Sequence, residues 1–197
     1  MRSFEFARKR VDGEVLQESE GEVKAFPDAQ IPEYQTRYSA GADFFCAEEV
    51  VIPSIWKGVA HILSSSLKGF IANWVSDDNS YLQDKENDVF LKPVAVHTGI
   101  KACMEDDEVL ELYNRSSNPK KLGLILANSV GVVDKDYYNN KDNDGEIMFL
   151  FFNFKPWDVA LKVGDRIGQG VFKKVLRPTE GLRIKDVERE GGLGSTN

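Results

Sequence analysis

Short apolar runs separated by turn residues recur along most of the chain, and they constrain its fold more than any other feature. The clearest runs lie at 3–8, 90–101, 108–113, 147–154 and 166–175. They are rich in β-branched, aromatic and aliphatic residues, and the first alternates apolar with charged side chains, as a half-buried strand does. The Asn, Asp and Gly residues of 139–145 are typical of a turn. The pattern predicts an all-β domain, either closed or sandwiched.

One segment breaks the pattern of short strands. Pro53 and Ser54 are typical of a helix start, and a polar stretch occupies 76–88. We therefore predict one helical insertion, at about 54–88, in a single domain spanning 1–197. The apolar residues between these two landmarks recur every three or four positions, as in an amphipathic helix: Ile55, Val59, Ile62, Leu63, Leu67, Phe70, Ile71 and Trp74.

Composition excludes several classes of function. The net charge of −7 argues against a protein that binds nucleic acid, because that binding depends on Lys and Arg neutralising phosphates. The longest apolar runs are too short to cross a bilayer, and the N-terminus lacks an apolar signal segment, so we expect no membrane association. Cys46 and Cys103 have no metal-binding or disulfide spacing, which fits a cytoplasmic location.

Five polar segments are candidates for chemistry. Asp43, in a segment that opens a strand, could contact the water shell of a metal ion or simply end a turn. Arg115 with Ser116 and Ser117 could grip a phosphate or form a solvated turn. Asp134, after a hairpin-like turn with Gly131 at its bend, could be a general base or a turn former.

The other two segments lie nearer the C-terminus. Gln169 follows the 164–165 turn and could approach a phosphate, although the segment also reads as a plain hairpin. The residues of 189–197 combine Arg189, three glycines, Ser195 and Thr196. Such a stretch could wrap an anion with its backbone N–H groups or remain a flexible tail.

The order of these five segments is more specific than any one of them. The segments 40–48, 115–117, 128–137, 164–169 and 191–196 resemble, in sequence, the five motifs of the trimeric dUTPase family. The match covers most of the chain outside the insertion. The insertion, the long spacers and the variant third motif are similar to phage or prophage members.

The resemblance implies a distorted jelly-roll (a β-clip fold) and a homotrimer whose active sites lie at subunit boundaries. The implied reaction is Mg²⁺-assisted hydrolysis of dUTP to dUMP and pyrophosphate by water attack at the α-phosphorus. Asp134 would activate that water, and Tyr137 would lie against deoxyribose and exclude a 2′-hydroxyl. The hairpin containing Asn128, Gly131 and Val133 would read uracil.

The remaining roles concern the triphosphate and the lid. Mg²⁺ would bridge phosphate oxygens, with Asp43 contacting the ion through water. The phosphates would be held by four side chains, Arg115, Ser116, Ser117 and Gln169. A lid from a neighbouring subunit would close the site with Arg189, Gly192, Leu193, Gly194, Ser195 and Thr196.

The lid departs from the family pattern at three positions. Leu193 replaces the usual Phe, so stacking on uracil would be weaker. Arg189 stands two residues before Gly191, where the family arginine stands three before it, and that position holds Glu188. The chain ends in Asn197, where the family usually has Gly.

Two other functions compete with dUTP hydrolysis. The related dCTP deaminases carry a catalytic glutamate three residues before an asparagine, but counting back from Asn153 gives Leu150, which cannot transfer protons. A regulatory protein could instead use the insertion as a docking surface. An exposed patch of Trp56, Phe70 and Trp74 would favour that second reading.

Overall fold

The computed structural model describes residues 1–11, 14–18, 21–60, 63–64 and 92–180. The first strands of this part are Ser3–Phe6 (β1), Arg10–Val11 (β2), Glu14–Val15 (β3), Gln17–Glu18 (β4), Gly21–Glu22 (β5), Ala42–Phe45 (β6), Val50–Ile52 (β7) and Val94–His97 (β8). They are followed by Ile100–Cys103 (β9), Glu108–Asn114 (β10), Leu124–Leu126 (β11), Gly131–Val133 (β12), Met148–Asn153 (β13), Val159–Leu161 (β14) and Arg166–Lys174 (β15).

Two antiparallel sheets form the body of the fold. One has four strands in the order β12-β10-β15-β6, and the other has three in the order β11-β13-β8. Shorter two-stranded pairs, β1-β9 and β14-β7 among them, flank these sheets. The all-β, jelly-roll prediction is confirmed.

Aromatic side chains join the two larger sheets. Phe44 from β6 lies 5.6 Å from Phe149 of β13, measured between ring centroids, and Phe149 stacks on Phe151 at 6.2 Å. All three rings are fully buried. In β13 the burial alternates strictly, so the odd-numbered residues point into the core, as the geometry of a strand requires.

The run at 90–101 is not one strand. Within its described part, β8 ends at His97 and β9 begins at Ile100, and Gly99 turns the chain between them with a φ of 64°. A Cβ on Gly99 would lie 2.6 Å from the Cβ of Ala29, so a larger residue would not fit. Strand periodicity cannot reveal such a turn, because Thr98 and Gly99 are both compatible with a strand.

A helix begins where Pro53 and Ser54 predict it. Residues 55–60 and 63–64 are helical, and the predicted remainder of the helix and insertion at 65–88 lies outside the described residues. Ser54 is buried and anchors the helix start, because its Oγ donates to the Lys155 carbonyl at 2.6 Å and accepts from the Trp56 amide at 3.2 Å. Leu63 is 65% exposed, so the predicted apolar stripe is not buried at that position.

A buried charge cluster ties the N-terminal strands to the 139–145 turn. The carboxylate of Asp144 is fully buried and accepts hydrogen bonds from Arg8, Arg10 and Lys101 at 2.8–3.2 Å. The side-chain oxygen of Asn139 accepts hydrogen bonds from Arg8 and Lys101 as well.

In the part of the chain that the structure describes, no helix is long and apolar enough to cross a membrane.

Candidate active site

Asp43 organises one end of the four-stranded sheet. It lies on β6, is 1% exposed, and pairs in register with Gln169 of β15. The amide of Gln169 donates to Asp43 Oδ1 at 2.9 Å. Arg166 donates to Oδ2 at 3.3 Å, and the Nε of Arg115 lies 3.6 Å from Oδ1. Three of the five sequence segments therefore meet at this carboxylate.

A cavity of about 380 Å³ opens beside these residues. Arg115, Arg166 and Lys121 bring three positive charges to its walls, against one carboxylate, Asp165. Ser117 also lines the cavity, whereas Ser116 is exposed and is not among its lining residues. This excess of cationic donors suits a phosphate-bearing ligand.

Asn118 fixes the loop that carries Arg115. Its side chain is buried, and its amide donates to the Ile167 carbonyl and to the Asn114 side chain, each at 2.7 Å. Asn118 also begins the π-helical turn Asn118–Leu122, which brings Lys121 to the cavity. Sequence reasoning did not select Asn118, Lys121 or Arg166. Of these three, only Arg166 could have been selected from the sequence, because it lies in the segment that contains Gln169.

The third segment forms a separate, narrower cavity of about 60 Å³. Its walls include Asn128, Gly131, Val133 and Tyr137, all predicted site residues. The bend of the hairpin is at Ser129, with a φ of 60°, and not at Gly131 as predicted. Gly131 lies in β12 opposite Leu112, and a Cβ there would approach the Leu112 Cβ at 3.0 Å. Glycine therefore allows close strand pairing at the cavity wall.

Tyr137 is held firmly in this cavity. It is 6% exposed, its hydroxyl donates to the Glu146 carbonyl at 2.9 Å, and it accepts from the Asn143 amide at 2.8 Å. The neighbouring Tyr138 turns elsewhere and donates to the Glu5 carboxylate at 2.7 Å. The pKa of Tyr138 is raised to about 12, mainly by burial and secondly by the hydrogen bond to Glu5.

Asp134 stands at the end of β12 and is exposed. It lines a third, open cavity of about 600 Å³ together with Asp106, Lys135, Asp136 and Arg177. A carboxylate has about four lone-pair sites, so Asp134 can accept a proton from water.

The structure does not bring Asp134 close to Asp43. β12 and β6 are the two edge strands of the four-stranded sheet, three strand spacings apart. Val133, which precedes Asp134, pairs with Leu110 of β10. Asp43 pairs with Gln169, and Gln169 pairs with Tyr113 of β10. The two carboxylates are therefore also offset along the strand direction. With about 4.8 Å between strands and about 3.4 Å per residue, their backbones lie about 20 Å apart.

The described side chains include no cluster of three or more His, Cys, Asp or Glu residues that could hold a metal ion by themselves. Mg²⁺ commonly binds one or two carboxylates and completes its shell with water and substrate phosphates. Asp43 fits that pattern through water, since each carboxylate oxygen can accept more than one hydrogen bond. The lid residues Arg189, Gly192, Leu193, Gly194, Ser195 and Thr196 lie outside the described residues.

Comparison with known families decides the relationship. The family model described as dUTPase matches residues 91–197, more than half of the chain. The chain belongs to the dUTPase family. This match contains four of the five motif-like segments, and the first, around Asp43, lies before it.

Relatives within the dUTPase family extend the match. A deoxyuridine 5'-triphosphate nucleotidohydrolase of Lactococcus lactis is 50% identical over 101 residues, covering 51% of this chain and 67% of the relative. One from Helicobacter pylori strain J99 is 31% identical over 176 residues, covering 88% of this chain and 92% of the relative. In the crystal structure of dUTPase from Streptococcus mutans, the matched chain is 34% identical in sequence to this one, with a TM-score of 0.56. The match covers 78% of this chain and 94% of that chain.

Proposed function

We propose that this protein hydrolyses dUTP to dUMP and pyrophosphate by attack of water on the α-phosphorus. The observation that carries the proposal is the arrangement of one sheet. Cationic and amide donors gather around Asp43 at one end, and the Tyr137 cavity and Asp134 lie toward the other. Membership of the dUTPase family and the names of the relatives support the same reaction.

The nucleoside would occupy the Tyr137 cavity. Backbone groups of the hairpin at Asn128, Gly131 and Val133 would pair with the uracil edge. The buried ring of Tyr137 would leave no room for a 2′-hydroxyl. Leu150, which stands where a deaminase would need its glutamate, lines the same cavity and supplies no proton-transfer group.

The triphosphate would lie against the donors near Asp43. Arg115, Gln169, Ser116 and Ser117 would hold phosphate oxygens, and we add Arg166 and Lys121 to this set. Asp43 would hold Mg²⁺ through water, and the ion would supply charge neutralisation across the phosphates. Asp134 would take the proton from the attacking water.

We also propose that the active enzyme is a homotrimer with shared sites. The phosphate donors and Asp134 must act on one substrate molecule, yet they lie about 20 Å apart in one chain. A second copy that presents its Asp134 to the first copy's Arg115 would complete the site. The lid at 189–197 would come from a neighbouring subunit and add Arg189, Gly192, Leu193, Gly194, Ser195 and Thr196.

A regulatory role beside hydrolysis is a second candidate. Trp56 is 50% exposed at the root of the insertion, beside Phe154 at 49% and Trp157 at 61%. Exposed aromatic patches of this kind mark interaction sites. We propose a phage-type enzyme acting in the cytoplasm, in the host's if it is phage-encoded, with a protein partner at the insertion.

The decisive experiment is a pyrophosphate-release assay of the purified protein with dUTP, dCTP, dTTP and UTP. We expect turnover of dUTP alone, and a loss of about 10²-fold or more in kcat for Asp134→Asn, which keeps the shape and removes the base. Asp28→Asn, at an exposed position away from the cavities described above, is the matched control. Near wild-type turnover in Asp134→Asn, or ammonia release from dCTP, would overturn the proposal.

A further inference from the structure

A histidine and a buried glutamate lie behind the nucleoside cavity. His97, at the end of β8, places its Nδ1 2.9 Å from Oε2 and 3.1 Å from Oε1 of Glu146. The Glu146 side chain is 5% exposed and also accepts from the Gly99 amide at 3.0 Å. The ring of His97 stacks on Phe26 with 4.8 Å between centroids. The imidazole is therefore fixed on one face and at one nitrogen.

Glu146 connects this pair to the cavity. Its backbone carbonyl is the acceptor for the Tyr137 hydroxyl, and Asn143 donates to the same carbonyl at 3.2 Å. Glu146 also lines the cavity beside Tyr137. Any movement of Glu146 would thus move the partner that orients the Tyr137 ring.

The charge state of His97 decides how strongly Glu146 is held. Among the described residues, the Glu146 carboxylate has two donors, the neutral Gly99 amide and His97. A buried carboxylate with only neutral donors is poorly compensated, whereas an imidazolium supplies both a donor and a charge. Protonated His97 therefore holds Glu146 more tightly than neutral His97 does.

We propose that His97 is a positioning residue for nucleoside binding, holding Glu146 and through it Tyr137, so that the affinity for dUTP depends on the protonation of His97. This proposal rests on the proposed function. It assigns His97 no contact with the substrate and no part in the chemical step.

The charges around His97 set the pH range. Glu146 faces Nδ1 from the turn before β13, and Glu48 faces Nε2 at 3.8 Å from the segment after β6. Phe26 covers the ring and carries no charge. The hydrogen bond to Glu146 raises the pKa of His97 above its ordinary value, against the opposing effect of burial. The tight state is therefore present at pH 6 and is lost as the pH rises through that raised pKa.

Two amide variants separate donor from charge. In His97→Asn the side-chain N–H occupies the place of Nδ1 and stays neutral at every pH. In His97→Gln the amide reaches the place of Nε2 and leaves Glu146 without that donor. Glu48→Gln removes only the exposed carboxylate near Nε2, and it leaves both donors to Glu146 in place.

The test is the KM for dUTP between pH 6 and 8.5, expressed as a ratio to the KM of His97→Asn in the same buffer. The ratio cancels ionisation of the substrate phosphate. We expect wild-type KM to be about fivefold lower than that of His97→Asn at pH 6 and to approach it as the pH rises to 8.5. The KM of His97→Gln should exceed that of His97→Asn at both pH values. At each pH, the kcat of both variants should stay within about twofold of the wild-type kcat. A ratio that does not change with pH, or equal KM values for Asn and Gln variants, would overturn the proposal.

A second measurement needs no substrate. The chain has two histidines, His61 and His97, so proton NMR can follow His97 after assignment with His61→Asn. The pKa of His97 should fall in Glu146→Gln and fall less in Glu48→Gln. An unchanged pKa in Glu146→Gln would overturn the pairing. Absence of dUTP turnover in the wild-type protein would instead overturn the proposed function and leave this result interpretable.

Discussion

At the scale of single residues, Asp144 shows how one buried charge is tolerated. Its carboxylate is fully buried at a φ of 60°, a conformation that Asp and Asn adopt more readily than most residues. Arg8, Arg10 and Lys101 all donate to it. Burial raises the pKa of Asp144, but the hydrogen bonds from Arg8, Lys101 and Arg10 outweigh burial and lower it below its ordinary value.

Replacing this charge tests its contribution to stability. Asp144→Asn keeps the backbone preference and removes the charge, so we expect a loss of about 3 kcal/mol in the free energy of unfolding at pH 7. Urea denaturation measures it, and Asp28→Asn, which is exposed, should change stability by no more than about 0.5 kcal/mol. A depressed pKa stabilises the fold above the unfolded-state value of about 3.9, so the difference between wild type and Asp144→Asn should shrink as the pH falls below about 4. A gap independent of pH would contradict this assignment.

Tyr137 and Tyr138 are adjacent but face different surroundings. Tyr137 lines the narrow cavity, whereas Tyr138 points to Glu5 and lies 5.0 Å from the Lys101 ammonium. We expect Tyr137→Ala to lower kcat/KM for dUTP and to narrow the gap between dUTP and UTP. Tyr138→Ala is the matched control and should leave the ratio of the two kcat/KM values unchanged. If Tyr137→Ala still rejects UTP as strongly as wild type, sugar selection lies elsewhere.

The order of polar segments in the sequence predicted part of the set of residues that gather in one chain: the third segment, with Asp134 and Tyr137, lies apart from the others. Asp43, Arg115 and Gln169 meet as motif order implies. Arg8 and Asp144 are 136 positions apart, and no local pattern links them. Pairings of that kind depend on how the sheets assemble, and one sequence does not encode them in its spacing.

At the scale of elements, Gly168 sets the distance between the two larger sheets. It lies in β15 at an irregularity in the pairing with β6. A Cβ there would come within 1.9 Å of Phe149 Cε1 and 2.4 Å of its Cζ. The ring of Phe149 therefore occupies the space that a side chain at 168 would need.

This close approach gives a prediction about packing. Gly168→Ala should destabilise the fold by about 1–3 kcal/mol, because Phe149 must leave its position between the sheets. Thermal unfolding with calorimetry measures the effect. Phe149→Leu frees space at the ring edge, so the double variant should be less destabilised than the sum of the two single variants. Strict additivity would mean that the two residues do not compete for the same space.

Turns were harder to predict than strands. The apolar run in β13 and the aliphatic and aromatic residues of β15 are visible in the sequence and predicted both strands. The bend at Ser129 is not, because glycine at 131 is the more obvious turn former, and its use in strand pairing appears only when Leu112 is seen opposite it. The short strand β11 likewise offers too few residues for a periodic signal.

At the scale of the whole molecule, one chain holds separated parts of a site. Asp43 lies on one edge strand of the sheet and Asp134 directly follows the opposite edge strand, so that the two backbones are about 20 Å apart. A nucleoside triphosphate cannot contact both ends while its α-phosphorus is attacked from Asp134. Sequence order alone could not show this separation, since motifs that are neighbours in a site need not be neighbours in one subunit.

Shared sites can be tested by mixing two inactive variants. Asp134→Asn lacks the base and Arg115→Gln lacks a phosphate donor, so each homo-oligomer should be nearly inactive. Suppose that a site takes Asp134 from one subunit and Arg115 from another. In an equal mixture, half of the subunits carry an intact Asp134 and the other half carry an intact Arg115. About one quarter of the sites are then complete, and about one quarter of wild-type turnover should return.

The control mixture combines Asp134→Asn with the double variant Asp134→Asn/Arg115→Gln. That mixture contains no intact Asp134 and should stay inactive whatever the geometry. Native mass spectrometry of co-expressed, differently tagged chains verifies that mixed oligomers form. Mixed oligomers of the two single variants that remain inactive would mean that each chain uses its own Asp134 and Arg115. The chain would then have to bring its two sheet ends together by a rearrangement of about 20 Å, which the continuous pairing of β10 with both β12 and β15 opposes.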